Sequence, residues 1–193
     1  MRGGMRLVYG FQDSEVTKNG SWMVAKSSRY LSEAHNSLEA VECHAKSTAV
    51  ARFFAARFNG RLKALDAKHV ALLFVPCFVY ELENEPLSSF AAERYLPGVF
   101  LKYNSNNGYV AEALPHNDTV QSFMHFTFEE LGGNLMVTDL QGVARDAEVL
   151  LTDPQVLSLS REQLGEAFES SLQHKSCIPC IASPRSSPKI SPN

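Results

Sequence analysis

An α+β fold follows from three features of the sequence: an N-terminal strand hairpin, a long run with helical spacing, and further short strands after it. The hairpin is Met5 to Phe11 and Trp22 to Lys26, two apolar runs joined by Lys18-Asn19-Gly20-Ser21, where Asn-Gly supplies the turn. Ser32 to Phe58 then places Leu38, Val41, Ala45, Thr48, Ala49, Phe53 and Ala56 at helical intervals, and Asn59-Gly60 is expected to stop the helix. Ala71 to Tyr80 and Ser89 to Tyr95 read as strands around the break Asn84-Glu85-Pro86.

Val120 to Thr127 reads as a helix that enters a Gly132-Gly133 turn, and Leu135-Met136-Val137 as a buried hairpin strand beyond it. Strand residues alternate faces, so Asp139 and Gln141 at its far end should point the same way. A carboxylate and an amide oxygen are hard donors suited to magnesium, and a second carboxylate stands at Thr152-Asp153-Pro154. Leu159 to Gln173 reads as a short helix. From Ser183 onward Ser-Pro recurs at 183, 187 and 191, which predicts a polar, disordered tail over residues 183–193.

Composition bounds the function. A chain of 193 residues with 45% hydrophobic content can bury one real core. Its 18 basic and 21 acidic side chains give a net charge of −3, which offers no reason to expect nucleic acid or an anionic membrane as partner. The longest apolar stretch, Val70 to Val79, is too short to span a bilayer, and Met1-Arg2-Gly3-Gly4 lacks the apolar segment of a secretory signal. A soluble, cytoplasmic protein is expected. Cys43 and Cys77 sit in apolar settings, whereas Cys177 and Cys180 form a C-x-x-C pair after His174, a metal-type spacing.

Seven segments carry a resemblance. In order they are Gly3-Gly4-Met5-Arg6, Val24-Ala25-Lys26, Glu93-Arg94-Tyr95-Leu96-Pro97-Gly98, Lys102-Tyr103-Asn104-Ser105-Asn106-Asn107-Gly108, His125-Phe126-Thr127-Phe128-Glu129, Asp139-Leu140-Gln141-Gly142 and Thr152-Asp153-Pro154-Gln155. Their content and order resemble the atypical alpha-kinases, the family of myosin heavy-chain kinases, elongation factor 2 kinase and the channel-kinases. The resemblance implies a two-lobed catalytic domain over residues 1–182, with an N-lobe of about 1–92 and a C-lobe of about 93–182 stapled by zinc. It implies an ATP-dependent serine/threonine protein kinase that uses magnesium. The alternative is a nucleotide-binding pseudokinase that serves as an interaction module, because the Gly-rich loop that should support peptide substrate is reduced to Ser158 to Gly165. The HRD and DFG signatures and the phosphate-binding GxxxxGK[ST] loop do not occur, which excludes ordinary protein kinases and P-loop enzymes by motif.

The same resemblance distributes roles. Lys26 would contact the ATP phosphates, and its carboxylate partner is expected from the long helix, at Glu39 or Glu42. Arg6 would grip phosphate oxygens bidentately. Glu93 and Tyr95 would meet the adenine edge through backbone carbonyl and amide, so that their side chains matter little. Asn106 would lie near phosphate and metal. Asp139 would orient or deprotonate the attacking hydroxyl, while Gln141 and Asp153 hold magnesium. His125, His174, Cys177 and Cys180 would form a closed, structural zinc site, although Ser176 stands where the family's first cysteine belongs. His35, His44, His69 and His116 belong to no motif and are expected to be ordinary.

Overall fold

The computed structural model describes residues 6–14, 20–29, 37–66, 69–81 and 89–158. The expected C-terminal helix, the Ser-Pro tail, and the metal candidates His174, Cys177 and Cys180 lie outside these residues.

Strands β1 (Arg6–Gln12) and β2 (Trp22–Ser28) form the expected hairpin, paired from Arg6 opposite Ser28 to Gln12 opposite Trp22. The sheet continues through β5 (Ser89–Arg94) to β4 (Phe78–Glu81), in the order β1-β2-β5-β4. A second sheet runs β3-β9-β8-β6, from β3 (Ala71–Phe74), β9 (Glu148–Thr152), β8 (Gln141–Ala144) and β6 (Phe100–Lys102). Strand β7 (Leu135–Thr138) pairs separately with β10 (Gln155–Ser158).

Three elements depart from the sequence reading. Helix α1 (Leu38–Ala64) begins at Ser37, whose hydroxyl accepts from the Ala40 N–H at 3.2 Å, and runs past Asn59-Gly60. Asn59 is used sideways: its amide donates to the Leu72 carbonyl at 2.8 Å and accepts from the Leu72 N–H at 3.0 Å. With that side chain fixed and Leu62 buried beyond it, tertiary contacts outweigh the stop signal. The Ala71 to Tyr80 run is two strands in two sheets, because Pro76 has no N–H to extend a ladder. The last bond on the β3 side is Val75 N–H to the Leu151 carbonyl at 3.0 Å. Finally, β7 is not one arm of a hairpin with the strand after it. Its partner is β10, and the chain leaves it through Asp139, whose φ of +59° turns it into the second sheet.

The core lies between the second sheet and two helices. Phe54, Phe58 and Leu62 of α1 meet Phe123 and Phe126 of α2 (Asn117–Glu130), with Leu72, Met136, Val137, Leu140, Val149 and Leu151 beneath. Phe58 stands 5.6 Å from Phe123 and 5.3 Å from Phe126 between ring centroids, an edge-on and a tilted contact. The division expected near residue 92 falls inside β5, and β3 already belongs to the sheet of the second half.

Two glycines differ in what they permit. A Cβ on Gly142 would lie 1.9 Å from the Leu150 carbonyl oxygen, whereas at Gly60 it would meet open space. Gly142→Ala is therefore expected to lower stability by about 1–3 kcal/mol or more through overpacking. Gly60→Ala should raise it by up to about 1 kcal/mol as a helix substitution. Thermal or urea melts that gave both variants the same sign of change would contradict this packing.

Candidate active site

Lys26 lies on β2, its side chain 7% exposed, and a buried ammonium must find anions. It finds them on two other elements. Its Nζ donates to Glu93 on β5, to the Thr152 hydroxyl at 2.9 Å and to Asp153 Oδ2 at 2.9 Å. The Thr152 hydroxyl donates in turn to Glu93. The partner is thus not Glu39 or Glu42 of the long helix; Glu42 pairs on the surface with Lys46 at 3.1 Å. The Glu93 side chain, expected to matter little, is the buried counter-ion.

Asp153 closes the cluster. Its Oδ1 accepts from Arg6 at 3.2 Å and from His44 Nε2 at 3.1 Å. His44, expected to be ordinary, is thus a member of the site. Burial would raise the Asp153 pKa, but the His44 hydrogen bond and the charges of Lys26 and Arg6 hold it well below the usual carboxylate range. Glu93 moves the other way, raised by burial and then by the Asp153 charge, against the opposing pull of Lys26. Two carboxylates share one ammonium, and their environments push them apart.

A second group lies along the second sheet, next to the end of β9. Lys102, Gln141 and Thr152 stand opposite one another on β6, β8 and β9, so their side chains share a face and span roughly 10 Å. Asp139 is set beside this row: Lys102 Nζ lies 2.8 Å from its Oδ1, and Gln141 Nε2 donates to its Oδ2 at 3.2 Å. The expected meeting of Asp139 and Gln141 occurs, through a left-handed turn and not through strand alternation. Asp153 also has positive φ, +50°. Both carboxylates sit in a backbone region that costs about 1 kcal/mol or more for most residues and is easiest for Asn and Asp.

A buried amide network sets Asp139 in place. Asn104 accepts from the Leu140 N–H at 2.9 Å and donates to Gln121 at 3.0 Å. Gln121 reaches the Tyr103 carbonyl at 3.0 Å, and the Tyr103 N–H donates to the Leu140 carbonyl at 2.9 Å. Leu140 is therefore clamped on both backbone groups. Asn106, by contrast, is exposed and donates to Gln155 at 2.7 Å, tying its loop to β10. The Tyr95 N–H donates to the Trp22 carbonyl at 2.9 Å, a bond that would have to open before this amide met an adenine edge. His125 is half-buried on α2. Among the described residues no group of three or more His, Cys, Asp or Glu could hold a metal by itself.

The family model of the alpha-kinase family matches residues 1–171. The chain belongs to the alpha-kinase family. Alpha-protein kinase vwkA of Dictyostelium discoideum is 30% identical over 167 residues, which cover 84% of this chain and 25% of that protein. Human eukaryotic elongation factor 2 kinase is 39% identical over 89 residues, 46% of this chain and 12% of that protein. The alpha-kinase domain of myosin-II heavy chain kinase A, solved in complex with AMP-PNP, aligns with a TM-score of 0.72 at 23% identity, covering 92% of this chain and 80% of that one. That likeness shows an alpha-kinase fold. The chain spans a quarter or less of the curated relatives named here.

Cys77, between β3 and β4, feels the charged cluster. Its thiol is pushed up to about 11, first by burial and then by the Glu93 carboxylate. Iodoacetamide at pH 8 should therefore label exposed Cys43 well before Cys77. Peptide mapping that found the two modified at equal rates would contradict the arrangement.

Proposed function

We propose that this alpha-kinase domain is an active ATP-dependent serine/threonine protein kinase. The carrying observation is the pairing of two groups: a buried Lys26–Glu93–Asp153 cluster beside Arg6 where the two sheets meet, and Asp139 with Lys102 and Gln141 on the neighbouring strands of the second sheet. Lys26 and Arg6 supply the cationic contacts that ATP phosphates need. Glu93 and Tyr95 line the adenine side, and Asn106 the phosphate side. Asp139 has the oxygen atoms to accept a hydroxyl proton.

The reaction follows from these positions. The Ser or Thr hydroxyl oxygen bonds to the γ-phosphorus as the bond between that phosphorus and the β,γ-bridging oxygen breaks, and ADP leaves. The hydroxyl proton passes to Asp139, whose Oδ2 is oriented by Gln141 and whose Oδ1 is neutralised by Lys102. Lys26 and Arg6 remain on the phosphates through the transfer. Magnesium, when bound, would offset the charge of the phosphates as a Lewis acid. Asp153 and Gln141 are oxygen donors of the right hardness, and two protein ligands suit an ion that completes its shell with phosphates and waters.

The zinc reading is part of the same proposal. His125 on α2, with His174, Cys177 and Cys180, offers four nitrogen and sulfur donors, enough to close a tetrahedral site and leave no open position. Such a site would join residues far apart in sequence and turn binding free energy into folding free energy. The pseudokinase alternative keeps nucleotide binding and lacks transfer. A cytoplasmic setting fits both readings; among the described residues no helix is long and apolar enough to cross a membrane.

Asp139→Asn separates the two. It should abolish phosphate transfer to a generic basic protein and leave ATP affinity within about threefold, since volume and turn geometry are kept. Equal turnover in variant and parent would overturn the proposed role. Lys26→Ala should weaken ATP binding at least tenfold, the loss of a charged contact of about 1.5–3 kcal/mol. Because it strands buried Glu93, it is best measured together with Glu93→Gln.

Freshly purified, reduced protein should carry one equivalent of zinc, and His125→Ala should lose it along with several degrees of melting temperature. Elemental analysis below a tenth of an equivalent in the parent would overturn the zinc site.

A further inference from the structure

His44 belongs to no motif, yet its imidazole is wedged between the two groups that would hold phosphate and metal. Its side chain is 10% exposed. Nε2 lies 3.1 Å from Asp153 Oδ1, and Nδ1 lies 3.3 Å from an Arg6 guanidinium nitrogen. A guanidinium can only donate, so Nδ1 must accept. Nε2 then carries the hydrogen and donates to the carboxylate. One tautomer, with the hydrogen on Nε2, satisfies both contacts, and the ring acts as a rigid spacer from Arg6 to Asp153.

The spacer has a definite target. Arg6 also reaches Asp153 Oδ1 directly at 3.2 Å, while Lys26 takes Oδ2 at 2.9 Å. Without the ring, the guanidinium keeps its contact to Asp153 among the described residues and, 37% exposed, is free to adopt other rotamers. Asp153, on a left-handed residue, would lose the ring donor on Oδ1 and leave that oxygen to the partly exposed Arg6, with only Oδ2 held by the buried Lys26. Magnesium binding requires one carboxylate oxygen to turn from a cation toward the ion, which is easiest when the carboxylate plane is already set.

We propose that His44 is a positioning residue: by joining Arg6 to Asp153 it couples the phosphate grip to the magnesium-holding carboxylate, so that nucleotide and magnesium reinforce one another's binding. The inference rests on the nucleotide site proposed above. It differs from a packing role for α1, which would require only a ring-sized side chain at 44.

The test uses the full chain and a fluorescent N-methylanthraniloyl-ATP, titrated at a series of magnesium concentrations, beside melting temperatures. His44→Phe keeps the volume and removes both hydrogen bonds. It should raise the magnesium concentration at half-maximal nucleotide binding at least fivefold. His44→Gln offers an amide N–H to Asp153 and an amide oxygen to Arg6, and should stay within twofold of the parent. His44→Asn, one bond too short to span both, should behave as Phe does, which keeps the inference testable if the Phe variant fails to fold. Magnesium midpoints that match the parent in His44→Phe or His44→Asn, or a Gln variant as impaired as these, would overturn it. A parent with no magnesium-dependent nucleotide binding would overturn the proposed function and this inference together. A parent that binds, with variants that all follow it, would overturn this inference alone.

Discussion

The Lys26 ammonium ties the molecule together. It leaves the first sheet from β2, takes Glu93 from the neighbouring β5, and crosses to Thr152 and Asp153 at the end of β9 in the second sheet. Such a buried group is a weak source of net stability, because desolvation offsets most of the attraction. Its value lies in specification. A chain that brought β2 and β9 together in any other register would leave an ammonium and a carboxylate buried without partners, at a cost of several kcal/mol. The site and the relation between the sheets are therefore set by one interaction.

Around that tie the two sheets divide the labour. The first contributes cations and their counter-ion, through Arg6, Lys26 and Glu93, from strands that are close neighbours. The second contributes the carboxylates at turns, Asp139 before β8 and Asp153 after β9, with Gln141 and Thr152 as opposed residues between them. Helix α1 belongs to both. Its far half builds the core with Phe54 and Phe58, and its near half delivers His44 to the charged cluster. A single element thereby joins the core to the site.

Much of this was legible from residue order, and the reason is local. Gly-Gly and Asn-Gly turns, apolar alternation and the D-L-Q-G run each announce a strand end within a few residues, so the hairpin, the second helix and the neighbourhood of Asp139 and Gln141 emerge from spacing. What spacing cannot state is which strand lies beside which. Glu93 as the counter-ion of Lys26, Lys102 as the partner of Asp139, and His44 against Asp153 are pairings across 67, 37 and 109 positions of sequence. The stop signal at Asn59-Gly60 failed for a related reason: the asparagine that favours a helix end in isolation is consumed by Leu72, a partner visible only in three dimensions. The Ala71 to Tyr80 run reads as one strand because two half-strands of different sheets, joined through a proline, have the hydrophobicity of one.

The left-handed backbone at Asp139 bears on how such a domain could drift. A turn of this kind admits Asp and Asn almost alike, and Gly at no steric cost. Lys102, the ion-pair partner of Asp139, is nearly half exposed and can be hydrated if the negative charge disappears. The fold therefore places little demand on a carboxylate at 139, and a lineage released from chemistry could exchange it for an amide with scarcely any structural penalty. At 153 the opposite holds, because two cations and an imidazole depend on that charge. Of the two aspartates, 139 is the position where a carboxylate carries information about chemistry, and 153 is the position where it carries information about architecture as well.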